Sequence, residues 1–304
     1  TLAGEPPRDD AGDAVALAYW LNLYNALVIQ EVLRRWPLSS VRDVRAGFLN
    51  FSKGFFKGLQ FRVGDREMSL DDIEHRVIRL QFADARIHGH HDDLLGVRSL
   101  DGLMAVYGLE GEARVEFERV ILDEFHFEPR PDAEGFGDGH VFDLGGGVTV
   151  EAVHLPGHTR GHAGFRMDGV FFLSDIDLTG FGPYYGDVWS DLDDFEKSLV
   201  KVRDEEADYY VTFHHKGVIE GRETFVGMLD AFHAVIGRRH AAMLDYLAEP
   251  HTIQEMADHR FIYRPHVELA YVDSVEQRSA EMHVARMLRE GDAVEVEPGR
   301  YRRA

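Results

Sequence analysis

Four short stretches of this 304-residue chain concentrate side chains of the kind that hold divalent metal ions. "DARIHGHHDD", Asp84 to Asp93, packs three histidines and three aspartates into ten residues. "HLPGHTRGH" (His154 to His162), "FLSDIDL" (Phe172 to Leu178) and "VTFHHKG" (Val211 to Gly217) bring further histidines and carboxylates to the ends of apolar runs. Neutral imidazoles and carboxylates suit borderline divalent ions, and one carboxylate can span two of them. The chain has no cysteine, so disulfides, thiolate zinc sites and a cysteine nucleophile are excluded, and any metal must rest on His, Asp and Glu. One histidine among 17 carries little weight, but linked motifs carry much more.

The last three stretches, in this order and spacing, resemble the later metal-binding motifs of the metallo-β-lactamase superfamily. The resemblance implies an α/β fold, the αββα sandwich, with one or two ions of zinc, iron or manganese at the sheet edge. It places His158 as a terminal ligand of the first ion, Asp175 as the carboxylate bridging both and His214 as the terminal ligand of the second, with His215 as the alternative. It also implies hydrolysis: such ions lower the pKa of a coordinated water from about 15.7 to about 7, so that an ester, thioester, lactone, amide or phosphoester can be attacked. Asp175 is then the residue on which catalysis depends. Pro156 and Gly157 demand a tight turn that would hold His158 at a strand end. Tyr184 and Tyr185 of "GPYYGD" could line a pocket for a small-molecule substrate or cover the core as an aromatic loop.

The first stretch admits two readings. His88, His90 and Asp92 can stand as the superfamily's H-x-H-x-D ligands, with Asp93 where a final histidine belongs. Alternatively, Arg86 to His90 is a strand that follows a lost motif, and its histidines need meet no metal. The second reading is preferred, because the residues immediately upstream, "DDIEHRVIRLQF", form a helix of a different character. It makes the fold a partial sandwich lacking its first half. The exposed apolar sheet face then needs a cover, from the N-terminal helices or from another chain.

The elements that must position these residues divide the chain into a helical segment (1–83), the sandwich-like domain (84–228) and a C-terminal domain (229–304). In the first, "AYWLNLYNALVIQ" has apolar residues at helical spacing, Pro37 stops that helix, and Ser69 is a good N-cap for "SLDDIEHRVIR". The two segments together resemble the domain of unknown function 547 over about Ala14 to His88, which implies no known chemistry. Residues 84 to 88 fit both families and read as a junction. In the second domain, strands are expected at Val148 to His154 and Gly169 to Leu173, a helix at Leu192 to Val202 and a strand in "DYYVTFHHKG". The tail, with a helix ending at Gly291 before "DAVEVEPGRYR", resembles a winged helix.

Composition narrows the function. The net charge of −21, from 54 acidic against 33 basic residues, repels phosphate backbones and anionic membranes, and the tail from Pro250 itself has ten acidic residues against eight arginines and no lysine. Nucleic-acid and membrane binding are therefore not expected, and the tail is read as packing or homodimer surface. The chain opens without methionine and reads as a processed or truncated product, with a cytoplasmic address as the default. The expected function is metal-dependent hydrolysis, with a metal-poor binding or assembly module derived from the same fold as the alternative.

Overall fold

The computed structural model describes residues 13–35, 54–78, 86–145 and 147–304. The chain opening, the Pro37 stop and Asp84 lie outside them. Thr1–Ala85 and Arg86–Ala304 form two compact units. Among the described residues no helix is long and apolar enough to cross a membrane.

In the first unit, helix α1 (Asp13–Arg34) presents Leu23 and Leu27, one turn apart, to a core completed by the hairpin β1 (Phe61–Val63) and β2 (Arg66–Met68). Asn22 and Asn25, which interrupt the apolar run, are exposed. A short helix α2 (Phe55–Gly58) buries Phe55 in the same core. Helix α3 (Leu70–Asp72), continued as a π-helix over Ile73–Ile78, opens with the N-cap expected at Ser69. Ser69 Oγ accepts from the Asp72 amide, and the Asp72 carboxylate accepts from the Ser69 amide.

The second unit is built on a six-stranded sheet ordered β10-β9-β8-β7-β6-β5. Its strands are β5 (Val141–Asp143), β6 (Thr149–His154), β7 (Ala163–Met167), β8 (Val170–Ser174), β9 (Tyr209–Thr212) and β10 (Val218–Glu220). All pair antiparallel except β8 with β9, whose parallel register needs a crossover, supplied by helix α7 (Leu192–Arg203). On one face Val153, Phe171, Leu173, Tyr210 and Ile219 pack against α7 and helix α8 (Arg222–Tyr246). On the other, the row Ala152, Phe165, Phe172, Val211, Val218 crosses the sheet in register. Only its first part is covered: Ala152 and Phe165 pack with Phe136 of the two-stranded parallel sheet β3 (His88–His90) and β4 (Glu134–Phe136), whereas Val218 at the far end is 64% exposed. The second layer of the sandwich thus consists, among the described residues, of two short strands. Helices α4 (Leu94–Arg98), α5 (Leu100–Tyr107) and α6 (Gly111–Asp123) follow β3, and α4 sets Leu94 and Val97 against Gly89.

Helix α8 runs through the boundary expected at residue 229, and its last turns join a second core. Met243 and Leu247 pack there with helices α9 (Ile253–His259) and α10 (Val272–Glu290). Strand β11 (His251–Thr252) pairs with β13 (Arg300–Arg303), which pairs with β12 (Ala293–Glu297). Gly291 ends α10 in the left-handed conformation at φ 86°. Buried Glu276 accepts hydrogen bonds from the amides of Phe261, Ile262 and Tyr263, which fixes the loop between α9 and α10.

His283 of α10 is fully buried, with Nε2 3.0 Å from Tyr185 Oη and Nδ1 3.1 Å from His240 Nδ1. Burial, with His240, Arg286 and Arg239 nearby, holds its pKa well below the usual 6.5. Below pH 6.5 the unfolded chain therefore binds a proton that the folded chain refuses, and stability falls with pH by up to about 1.4 kcal/mol per pH unit for that proton. His283→Gln should flatten this slope between about pH 6.5 and pH 5 in denaturation experiments; parallel slopes for the two proteins would rule out the linkage.

Candidate functional site

The eight residues after β6 form a loop closed on itself. The Leu155 amide donates to His162 O and the Gly157 amide to Thr159 O, so the chain reverses within the "HLPGHTRGH" motif. Helix α7 anchors the loop from outside: Ser198 Oγ donates to Pro156 O, and the amide of the α7 N-cap, Asp191, donates to Gly157 O. Gly157 has φ 132°, and a Cβ there would lie 2.2 Å from Phe195 Cα. Only glycine allows this approach of loop and helix backbone.

His158 projects from the loop. Its Nδ1 lies 3.1 Å from Tyr184 O, an acceptor only, so Nδ1 carries the proton and the lone pair sits on Nε2. That nitrogen faces Asp175 Oδ2 at 3.9 Å, while His214 Nε2 lies 3.3 Å from the other oxygen, Oδ1. One carboxylate thus stands between two imidazoles, one per oxygen. Asp175 follows β8 through Ser174 at φ 50°, a left-handed conformation that turns the chain sharply at the strand end. His214 follows β9, and the Phe213 amide donates to Ser174 O, joining the two strand ends. The alternative, His215, has φ 62° and lies 5.8 Å from the His214 ring, centroid to centroid.

His162 is a residue whose role sequence reasoning passed over, although it ends the same motif. It is buried, its Nδ1 donates to Leu155 O, and its Nε2 accepts from the Asp175 amide at 3.1 Å. Burial, then the neighbouring His158, lowers its pKa to about 4, so it is neutral and fully hydrogen-bonded at physiological pH. Asp187 is also buried, accepts from Tyr184 Oη at 3.0 Å, and is pushed up to about 6 by burial.

The described residues of "DARIHGHHDD" have different neighbours: His90 Nδ1 accepts from the Asp92 amide at 3.3 Å, whereas His88 and Asp93 turn to other elements. His88 sits beside Glu134, Nδ1 to Oε2 4.0 Å, with its ring edge-on to Phe142. His90 stacks on His154 at a centroid distance of 4.1 Å, and its Nδ1 lies 3.6 Å from Asp92 Oδ2. Asp93 accepts from Thr159 Oγ1 and, at 2.9 Å, from the Gly161 amide, tying the turn after β3 to the loop that carries His158.

Tyr184 lines a cavity of about 250 Å³ with His158, Asp187, Tyr107 and Tyr271. Tyr185, expected beside it, points the other way into the main core and is 1% exposed. Buried Arg239 sets this split by donating to Pro183 O and Phe181 O and lying over the rings of Phe181 and Tyr185. A second cavity, of about 340 Å³, touches His158 and is walled by Val97, Leu103, Val106, Phe127 and Asp187.

Gly157→Ala is expected to cost more than about 2 kcal/mol in chemical denaturation, because the helix backbone must move. Gly291→Ala, also at positive φ but with open space around it, is expected to cost about 1 kcal/mol. Equal costs would show that the close approach does not matter.

Residues 10–101 match the family model described as "Protein of unknown function, DUF547", so the match crosses from the first unit into β3, α4 and the start of α5. No curated protein matches the chain. Among solved structures, a metallo-beta-lactamase family protein from Thermus thermophilus is similar at TM-score 0.53 and 22% identity, over 74% of this chain and 75% of that one. A beta-lactamase domain protein from Burkholderia ambifaria is similar at TM-score 0.50 and 18% identity, over 72% of this chain and 65% of that one, so this chain spans just under two thirds of it. The sheet and its crossover helix therefore have a metallo-β-lactamase fold, in which the second layer, among the described residues, has two strands.

Proposed function

We propose that the chain is a metal-dependent hydrolase whose ion centre is formed around Asp175, with His158 and His214 as the imidazole ligands. The observation that carries this reading is the placement of the two carboxylate oxygens, each facing a different imidazole nitrogen. The donor set fits a divalent ion: two nitrogens and a carboxylate, with the His158 tautomer fixed by a carbonyl so that Nε2 is the free nitrogen. Zinc, iron and manganese all suit such donors. A bound ion would supply Lewis acidity toward a carbonyl and a nucleophile from water at neutral pH.

The rest of the reading concerns what this chain's own residues do. Tyr184 O holds the His158 ring, and His162 holds the Asp175 backbone while staying uncharged, so it neither repels a cation nor competes for the carboxylate. The cavity beside His158 is walled largely by Val97, Leu103, Val106 and Phe127. Its cation, Arg130, is engaged by both oxygens of Asp132. An apolar wall with an engaged arginine favours an uncharged acyl group, hence an ester, thioester or lactone rather than a phosphoester. The element order of the tail, strand, two helices and a hairpin, supports a winged-helix arrangement, which we assign to packing.

A second reading, a metal-poor binding or assembly module, is favoured by the reduced second layer and by Asp93, which holds the loop at the position where the superfamily has a histidine ligand. Metal content and turnover of the purified full chain separate the two. Asp175→Ala is expected to lower metal-dependent acyl hydrolysis by about 100-fold or more and to reduce bound metal, with the fold retained by circular dichroism. Unchanged metal content in Asp175→Ala would remove the assigned centre.

A further inference from the structure

The apolar cavity and the smaller one of about 250 Å³ share Tyr107, His158 and Asp187, so a molecule lying across His158 would put one end in each. The smaller cavity differs in character. Three phenols (Tyr107, Tyr184, Tyr271), two benzyl rings (Phe117, Phe125) and the Asp187 carboxylate surround it, and among the described residues no lysine or arginine lines it.

Asp187 is 5% exposed, and its only side-chain partner among the described residues is Tyr184 Oη, which donates to Oδ1. Buried charges are normally paired, and this one has no cation beside it. It is firmly placed all the same: its amide donates to Ser190 Oγ at 3.2 Å, and Ser190 Oγ donates in turn to His158 O. Burial, then the Asp187 charge, raises the pKa of Tyr107, Tyr184 and Tyr271, so the carboxylate acts on all three phenols. The aromatic wall is continuous. Tyr107 at the end of α5 meets Phe117 of α6 edge-on at 4.7 Å, and Phe117 meets Tyr271, the N-cap of α10, at 5.7 Å.

We infer that the smaller cavity is a subsite for an alkylammonium group, and hence that the substrate is an acyl ester or thioester whose alcohol or thiol part carries a protonated or quaternary amine. Aromatic rings around one carboxylate offer a cation both ring attraction and a counter-charge. An uncharged ring there would leave the carboxylate unpaired, and an anion would be repelled. The ester part of this inference rests on the hydrolase reading, and the cation part rests on the cavity alone.

The test is calorimetric titration of the purified full chain with choline and with 3,3-dimethyl-1-butanol, its uncharged isostere. Choline should bind at least about 10-fold more tightly than the alcohol. Asp187→Asn should bring the two probes to similar affinity, and retained binding of the alcohol shows the cavity still formed. Tyr271→Leu, which keeps the carboxylate, should weaken choline more than the alcohol. Equal affinity of the parent chain for both probes, or unchanged choline affinity in Asp187→Asn, would overturn the subsite. Turnover separates this inference from the reading beneath it: butyrylcholine should exceed 3,3-dimethylbutyl butyrate in kcat/KM, and Asp187→Asn should shrink that preference. Choline binding without hydrolysis of either ester would uphold the cation subsite and count against the hydrolase; hydrolysis of both at equal kcat/KM would do the reverse.

Discussion

The buried imidazole of His162 uses both of its nitrogens, one toward the start of its own loop and one toward the strand end that bears Asp175. Much else rests on this double hydrogen bond. It holds the loop with its midpoint, His158, over the sheet edge, and it fixes the amide next to the carboxylate that His158 and His214 face. A buried group bonded on both sides cannot be replaced by an apolar one without orphaning a carbonyl and an amide, each costing about 1–3 kcal/mol. The same loop is fastened from α7 through Ser198 and Asp191 and from the turn after β3 through Asp93. Three separate elements therefore converge on eight residues.

The two faces of the main sheet are treated unequally. The helix-covered face has a continuous core from Val153 to Ile219, closed by α7 and α8. The opposite face has a small cluster around Phe136 and leaves the β9–β10 end accessible. Burial is deep at His162 and shallow at Val218, so the candidate site leans on the helix-covered layer of the sandwich.

Much of this was legible in the sequence wherever local rules decide the outcome. The N-cap at Ser69, the glycine end of α10, the helix beginning at Leu192 and the strands running into His154 and Ser174 follow from short-range chemistry and alternation. The grouping of His158, Asp175 and His214 was legible because three motifs kept their order along the chain. Contacts made across long separations were not. Tyr184 and Tyr185 are adjacent and chemically alike, yet an irregular loop has no period to say which faces the cavity, and Arg239, more than fifty residues away, decides it. Asp93 could be read only as a missing histidine, because its partners Thr159 and Gly161 lie far along the chain. His88 and His90 share a strand face, but their different neighbours on β4, β5 and β6 draw them to different contacts.

Helix α8 belongs to two cores at once: Phe225, Leu229, Phe232 and Ile236 serve the sheet, and Met243 serves the tail. Its 25 residues run unbroken from one core into the other. Amides in the tail and in the sheet should therefore share an opening event in hydrogen exchange, because one continuous helix carries the packing of both cores.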